Sequence, residues 1–335
     1  MTDLNLSELM AAISPAAMGE AGSSFSVRAI PGFPRHYVGR SATGQPSLLL
    51  GSEAGPFHAP VRLALLEARF GNLHRIRSDD GEEREELLSV ITCTSQDMQA
   101  QSYFIHICAT IVRIVGDRPT LPVIVSAVQR LIDLFRHIAR PAMRSLNGLL
   151  GELVLIAASR NLPASVRAWR SSDYDRFDFS SGDVRLDVKA AANRARAHHL
   201  SAEQCQPPPG TSGILASVFI ESSGGGQSLQ ELLSAIEDSL TGHNELILKV
   251  QGAVADTLGD TLLSSMSARF DDRLARSSLQ FYDLSTVPAI RANVPPEVSR
   301  IHFLSDLSRT SALSNLEIKA LSPTALQFIP TSDLP

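Results

Sequence analysis

Asp187-Val188-Lys189 sets a carboxylate and an ammonium two residues apart, and a second carboxylate, Asp178, stands nine residues upstream. Arg176-Phe177-Asp178-Phe179 alternates polar and apolar, Ser180 to Asp183 is turn-like, and Val184 to Lys189 alternates again. That pattern predicts a β-hairpin. In a strand, residues two apart share a face. An even-numbered loop centred on Ser181-Gly182 pairs Asp178 with Arg185, and paired residues also share a face. Asp178, Arg185, Asp187 and Lys189 then line one side, and Phe177, Phe179, Val184, Leu186 and Val188 the other. Two neighbouring carboxylates repel unless a cation sits between them. Oxygen ligation by Asp178, Asp187, the Val188 carbonyl and water suits Mg²⁺ or Mn²⁺ rather than zinc. A nearby lysine can orient or help deprotonate a metal-bound water and offset charge on a phosphorane-like state. This set is equipped for metal-assisted phosphodiester hydrolysis.

The elements around the hairpin have to position it. Leu146 to Ser159 is apolar on all sides, which predicts a buried helix, and its one charged side chain is Glu152. Gly213 to Glu221 reads as a buried strand and Ser222 to Gly226 as a loop. Ser228 with Glu231 forms a capping box that opens an amphipathic helix. Glu245 to Val250 reads as a fourth strand. The order is helix-strand-strand-strand-helix-strand, an α/β (α+β) core. Residues 24–92 are β-rich and are followed by helices over Ser102–Val115 and Pro122–Arg140. Toward the C-terminus a helix near 258–268 and strands near 279–284, 300–304 and 325–329 are expected. Three regions result: a β-rich part over 1–118 ending in a helix, the core over 119–250, and a mixed part over 251–335.

Composition excludes several classes. With 335 residues, 44% of them apolar, the chain can bury a sizeable core. No stretch suits a bilayer span, and the start has no secretory pattern, so a membrane role is not expected and a cytoplasmic setting is. Three scattered cysteines make neither a disulfide framework nor a zinc cluster. Gly224-Gly225-Gly226 lacks the Lys and Ser/Thr of a P-loop. The net charge is −5, yet residues 136–196 hold 11 basic against 6 acidic side chains, between acidic flanks. A basic middle is what a local polyanion site requires. Arg194, Arg196 and His198 alternate and can track phosphates. Ser201 with Gln204 reads as another capping box, whose helix start can face a phosphate. Arg185 serves equally as a phosphate contact or a structural counter-ion. Glu152 has two readings as well, an active-site acid or a core acid paired with an arginine.

At this point the chain resembles the PD-(D/E)XK superfamily, whose fold is restriction-endonuclease-like. The resemblance rests on Glu152 in Leu149-Leu150-Gly151-Glu152-Leu153, then Trp169, Asp178-Phe179, Asp187-Val188-Lys189 and the run from His198 to Gln204. It extends to a bacterial family of PD-(D/E)XK motif proteins, covers nearly the whole chain, and includes the β-rich front. Two positions depart from the common pattern: Phe177 stands where proline is frequent before the first acid, and Asp187 where glutamate is more usual. The resemblance implies a Mg²⁺- or Mn²⁺-dependent endodeoxyribonuclease in a restriction or phage-defence system. Glu152, Asp178, Asp187 and Lys189 would be catalytic, with Glu152 reaching the metal through water. Arg185, Arg194, Arg196, His198, Ser201 and Gln204 would contact DNA. Expected partners are DNA, ATPase and methyltransferase proteins of the same operon, and a second copy of the chain. The competing reading is a non-catalytic DNA-binding or assembly subunit that keeps the nuclease fold.

The chain has only three lysines, Lys189, Lys249 and Lys319, so a lysine two residues after an acid should be rare. The pattern nonetheless recurs at Glu317-Ile318-Lys319, without a surrounding hairpin or an upstream helix-borne glutamate. Lys319→Ala is expected to leave nuclease activity within the modest range of a surface change. Loss of cleavage in a folded Lys319→Ala protein would move the site to that tripeptide.

Overall fold

The computed structural model describes residues 4–14, 24–78, 80–171, 176–291, 294–295 and 297–330. In chain order the elements begin with α1 (Leu6–Ala11), β1 (Ser24–Ile30), β2 (Phe33–Ser41), β3 (Pro46–Gly51), β4 (Val61–Arg62), β5 (Leu66–Ser78) and β6 (Glu83–Cys93). Next come α2 (Met98–Val115), α3 (Leu121–Ile138), α4 (Leu146–Ala158), α5 (Leu162–Ala168), β7 (Phe179–Ser181), β8 (Val184–Ala191), β9 (Ala197–Ser201) and β10 (Ser212–Phe219). The remainder is β11 (Ser222–Ser228), α6 (Leu229–Ser239), α7 (Asn244–Leu258), α8 (Leu262–Ser265), β12 (Arg269–Phe270), α9 (Asp272–Ser278), β13 (Gln280–Asp283), β14 (His302–Asp306) and α10 (Asn315–Leu321). The chain divides into two compact units, residues 1–141 with 259–263, and residues 142–258 with 264–335. Among the described residues no helix is long and apolar enough to cross a membrane. The three cysteines are free and buried.

The first unit is the β-rich part. Its strands run in the order β1-β2-β3-β6-β5-β4, and β1 also pairs with β5, so five of them close on themselves. Closure removes the open edges that would otherwise template aggregation. The long β5 bends where its register to β6 shifts between Arg69 and Asn72, with Gly71 at φ +57°. Phe25, Val27, Tyr37, Leu49, Ile76, Leu88 and Val90 form a core cluster in this sheet. Helices α2 and α3 pack through Phe104 and Phe135, edge to face at 6.1 Å.

The second unit carries the residues singled out above. Its main sheet has the order β13-β10-β8-β7. β7 and β8 are an antiparallel hairpin, β8 and β10 are parallel, and β13 closes the far edge antiparallel to β10. The fold is α+β, as expected, but the fourth strand is not where it was expected. Glu245–Val250 lies inside helix α7. A short apolar run does not by itself distinguish strand from helix, and here the pattern continues through Ala255 to Leu258. The sheet is instead completed by β13. Ser222–Gly226, expected as a loop, belongs to β11, which pairs with β12. The run 325–329, expected as a strand, falls mostly in a 3₁₀ helix, Pro323–Phe328.

Helix α4 is buried from Leu149 to Ile156. It reaches the sheet through Gly151. A Cβ there would lie 3.1 Å from Val218 and 3.2 Å from Ala190. The missing side chain lets the helix seat on β8 and β10, and Glu152 follows immediately. Gly151→Leu is therefore expected to destabilise the protein by roughly 1–3 kcal/mol, the usual range for overpacking. Denaturant unfolding checks this, and an unchanged midpoint would show that α4 is not held at that distance.

Candidate active site

The hairpin turns through Gly182 and Asp183, with Ser181 opposite Val184, Ser180 opposite Arg185 and Phe179 opposite Leu186. Gly182 adopts φ +53°, which a two-residue turn needs at its first position and which glycine supplies without strain. The register thus differs by two residues from the expected one: Ser180, not Asp178, faces Arg185, and Asp178, just before the paired strand, comes beside Asp187. Both loops are even, so Asp178 stays on the side of Asp187 and Lys189. One apolar assignment changes as well. Phe177 precedes β7, where the chain still bends, and packs with Leu200, Cys205, Leu215 and Tyr282 rather than with the Phe179 face.

Asp178 is pinned from both sides. Its Oδ2 accepts the Val188 N–H at 2.8 Å. Its own carbonyl accepts the Arg170 N–H at 2.8 Å. Next to that bond Trp169 bridges to Phe179. The segment after α5 thereby runs alongside the hairpin and delivers two donors to Glu152. Trp169 Nε1 donates to Glu152 Oε2 at 2.5 Å. Arg170 donates to Oε2 from Nε at 3.0 Å and to Oε1 from its terminal nitrogen at 3.1 Å. Arg170 holds φ +43°, a left-handed backbone that a non-glycine residue adopts only where its surroundings enforce it. Its guanidinium also lies 4.9 Å over the Trp169 ring and donates to the Ala253 carbonyl and to Thr257 on α7. Burial and the Asp178 charge push the Glu152 carboxyl up, against the pull of Arg170 and Trp169.

Asp187 is 2% exposed. Lys189 Nζ lies 2.8 Å from its Oδ2 as an ion pair, and Gln204 Nε2 donates to its Oδ1 at 3.1 Å. Oδ2 is sealed from solvent and has no aligned hydrogen bond. Burial first, then the charge of Asp178, raises the Asp187 carboxyl to about 8, and Lys189 opposes the rise. For Lys189, burial pulls the ammonium down, but the charges of Asp187, Asp178 and Glu152 outweigh it and hold the group protonated above its ordinary range. Glu152, Asp178, Asp187 and Lys189 thus act on one another within a single neighbourhood.

The other expected contacts are placed differently. His198 is buried, its Nε2 is 2.7 Å from Ser217 Oγ, and burial lowers it to about 4, helped by Lys189 and Arg196. It presents no edge to a phosphate. Arg196 donates to the Ser217 carbonyl and hydroxyl and to the Ser278 carbonyl. Arg185 folds back onto the carbonyls of Gly182 and Val184. Arg194 is exposed and engages Glu221 through two bonds of 2.7 and 2.9 Å. Ser201 and Gln204 make both bonds of the expected box, yet the chain closes a turn there, with Cys205 N–H on the Ser201 carbonyl, and no helix starts. That turn instead brings Gln204 onto Asp187. Lys319 is exposed on α10, and Glu317 caps that helix by bonding Ser314. Sequence reasoning missed the role of Arg170. Its only signal is a single arginine after the sole tryptophan, which does not reveal a partner 18 residues away.

A family model described as "Putative PD-(D/E)XK family member, (DUF4420)" matches residues 20–308. The chain belongs to this family. Comparison with curated proteins and with solved structures finds no match. In a PD-(D/E)XK family member the question is whether the acids here suit a divalent cation. No group of three or more His, Cys, Asp or Glu is poised to hold a metal among the described residues. The donor set is instead a carboxylate pair, in which the solvent-sealed Oδ2 of Asp187 faces the Lys189 ammonium, and burial first, then the charge of Asp178, raises its affinity for a proton. Such a pair fits a hard divalent cation, which would replace that proton. Asp178 and Asp187 would hold it, with the Val188 carbonyl and water completing the set. Glu152 is less available: Trp169 and Arg170 occupy three of its four lone pairs, leaving one on Oε1.

The Asp187 shift has a signed consequence for stability. Its folded value, about 8, lies above the ordinary 3.8. Between those values the folded chain keeps a proton that the unfolded chain has released, so stability falls as pH rises through that window. In EDTA, wild-type stability is expected to fall between about pH 4 and pH 8 relative to Asp187→Asn, which has no such proton to lose. Denaturant unfolding across that range measures it, and a pH-independent difference would overturn the assignment.

Proposed function

We propose that this chain is a Mg²⁺- or Mn²⁺-dependent endodeoxyribonuclease, acting in a bacterial restriction or phage-defence system. The observation that carries the reading is the buried Asp187 carboxyl beside the partly exposed Asp178, with the Lys189 ammonium 2.8 Å from Asp187. Membership of the PD-(D/E)XK family and the basic stretch over 136–196 support it. A bound divalent cation would polarise the phosphate and make its water a nucleophile. Asp178 and Asp187 supply the negative charge that binds it. Lys189 stays an ammonium, so its part is to offset charge building on the phosphate rather than to take a proton. Glu152 sets the field around the pair and, clamped by Trp169 and Arg170, fixes where α4 and the hairpin meet. DNA, an ATPase and a methyltransferase of the same operon, and a second copy of the chain are the partners we propose.

The binding-subunit reading makes opposite predictions, so the variants decide between them. Lys189→Ala deletes charge but no metal donor, and is expected to cut plasmid cleavage by about 10²-fold or more while leaving DNA binding intact. Asp187→Ala is expected to lose cleavage together with the thermal stabilisation that Mg²⁺ or Mn²⁺ gives the wild type. Lys189→Arg keeps the charge on a bulkier, differently shaped group and should not restore cleavage. The assay compares methylated and unmethylated plasmid, with metal and with EDTA. Equal behaviour of wild type, Lys189→Ala and Lys189→Arg in cleavage and in defence would sink the enzyme reading in favour of a non-catalytic DNA-binding subunit.

A further inference from the structure

A cavity of about 580 Å³ opens in the second unit between β9, β10, β13 and the segment after β14. Its volume is that of a small-ligand site. It lies on the same face of the sheet as the acid pair. Asp187, Leu215 and Tyr282 form one row across β8, β10 and β13, and Lys189, Ser217 and Gln280 form the next. Neighbouring strands are about 4.8 Å apart, so the β13 wall of the cavity stands about 10 Å from Asp187 and Lys189.

The lining is chemically specific. Arg196 is half-buried and donates to neutral oxygens, those of Ser217 and Ser278. Its guanidinium lies 4.5 Å over the Phe219 ring, and burial opposes its charge. An anion entering the cavity would neutralise it. Two features call for more than an anion. Gln280 has its Oε1 taken by the Tyr282 hydroxyl at 2.8 Å, which leaves its amide N–H groups to donate. Asp306 is exposed at the wall, where Ser308 engages it through both its N–H, at 2.9 Å to Oδ1, and its side chain; a carboxylate has capacity to accept further, from a sugar hydroxyl or a base amine. Guanidinium planes and aromatic rings are surfaces on which unstacked bases lie. The wall thus offers a cation, an amide donor and a carboxylate acceptor around the Arg196–Phe219 stack.

We propose that this cavity takes one nucleoside phosphate unit of the DNA strand being cut, turned out of its base stack. The proposal rests on the nuclease reading for the strand. The same chemistry would also admit a free mononucleotide, so the test separates the two.

The test uses the full chain in EDTA, where no cleavage occurs. Fluorescence polarisation follows a labelled short single-stranded oligodeoxynucleotide, with deoxynucleoside monophosphates and inorganic phosphate as competitors. Ala312→Trp fills the cavity from an exposed position, and Thr310→Glu sets a carboxylate at its wall. Each is expected to weaken strand binding by about tenfold or more, whereas Ala312→Ser is not. Mononucleotides should compete better than phosphate. The metal-dependent thermal shift should be unchanged in all three variants. Strand binding unchanged in Ala312→Trp and Thr310→Glu overturns the proposal, as does competition by phosphate equal to that of mononucleotides. Mononucleotide binding lost in the variants with strand binding intact would assign the cavity to a free nucleotide and overturn the strand assignment. A wild type that cleaves, with pocket variants that bind and cleave equally, sinks the pocket alone. A wild type that binds the strand here but neither binds metal nor cleaves sinks the nuclease reading and leaves the pocket standing.

Discussion

A buried carboxyl group set beside a second one cannot ionise without help, and the second unit is arranged around that conflict. Asp187 and Asp178 meet because a two-residue turn fixes the hairpin register. Burial then makes their mutual repulsion expensive, since little solvent remains to screen it. Lys189 relieves part of the conflict from the Asp187 side and Arg144, 3.7 Å from Asp178, part of it from the other, while burial still raises the Asp187 carboxyl. The surrounding bonds keep both acids from turning away: the Val188 amide holds Asp178, and Gln204 holds Asp187. The cation proposed above would act on this same conflict, since its charge would offset the repulsion between the two acids.

Glu152 shows the opposite solution to the same problem. It too is buried and near Asp178, but Trp169 and Arg170 satisfy it directly. One acid is thus satisfied by two donors from a single segment, whereas each member of the pair has a cationic neighbour, Lys189 for Asp187 and Arg144 for Asp178. The sequence reading of Glu152 as a core acid paired with an arginine describes its contacts accurately, and its closeness to the pair keeps the active-site reading alive. The two readings are compatible once clamping and electrostatic influence are treated as separate jobs.

What the sequence made legible follows from how local each signal is. The hairpin side shared by Asp178, Asp187 and Lys189 is a matter of parity, which survives a shift of register by two residues. The buried character of α4 is written in its composition, with Glu152 its one charge. Parity says nothing of what covers a face. Arg196, just before β9, and His198 on it do alternate, but β14, a hundred residues later, pairs with that strand, and Ser217 receives both side chains. Nothing near β9 announces this. Glu245–Val250 misled for a different reason: a run of Leu246, Ile247 and Leu248 suits a buried strand as well as a buried helix, and only its continuation decides. Arg170 was invisible because its conformation and its partner are both set by tertiary packing.

The chain has a single tryptophan, Trp169, wholly buried with its indole N–H on Glu152. Its ring is covered by the Arg170 guanidinium. Indole emission in this protein therefore has one origin, and that origin sits in the electric field of the clamped acid and its neighbours. The protein's own fluorescence is a voltmeter wired to the site, with no second indole to blur the reading.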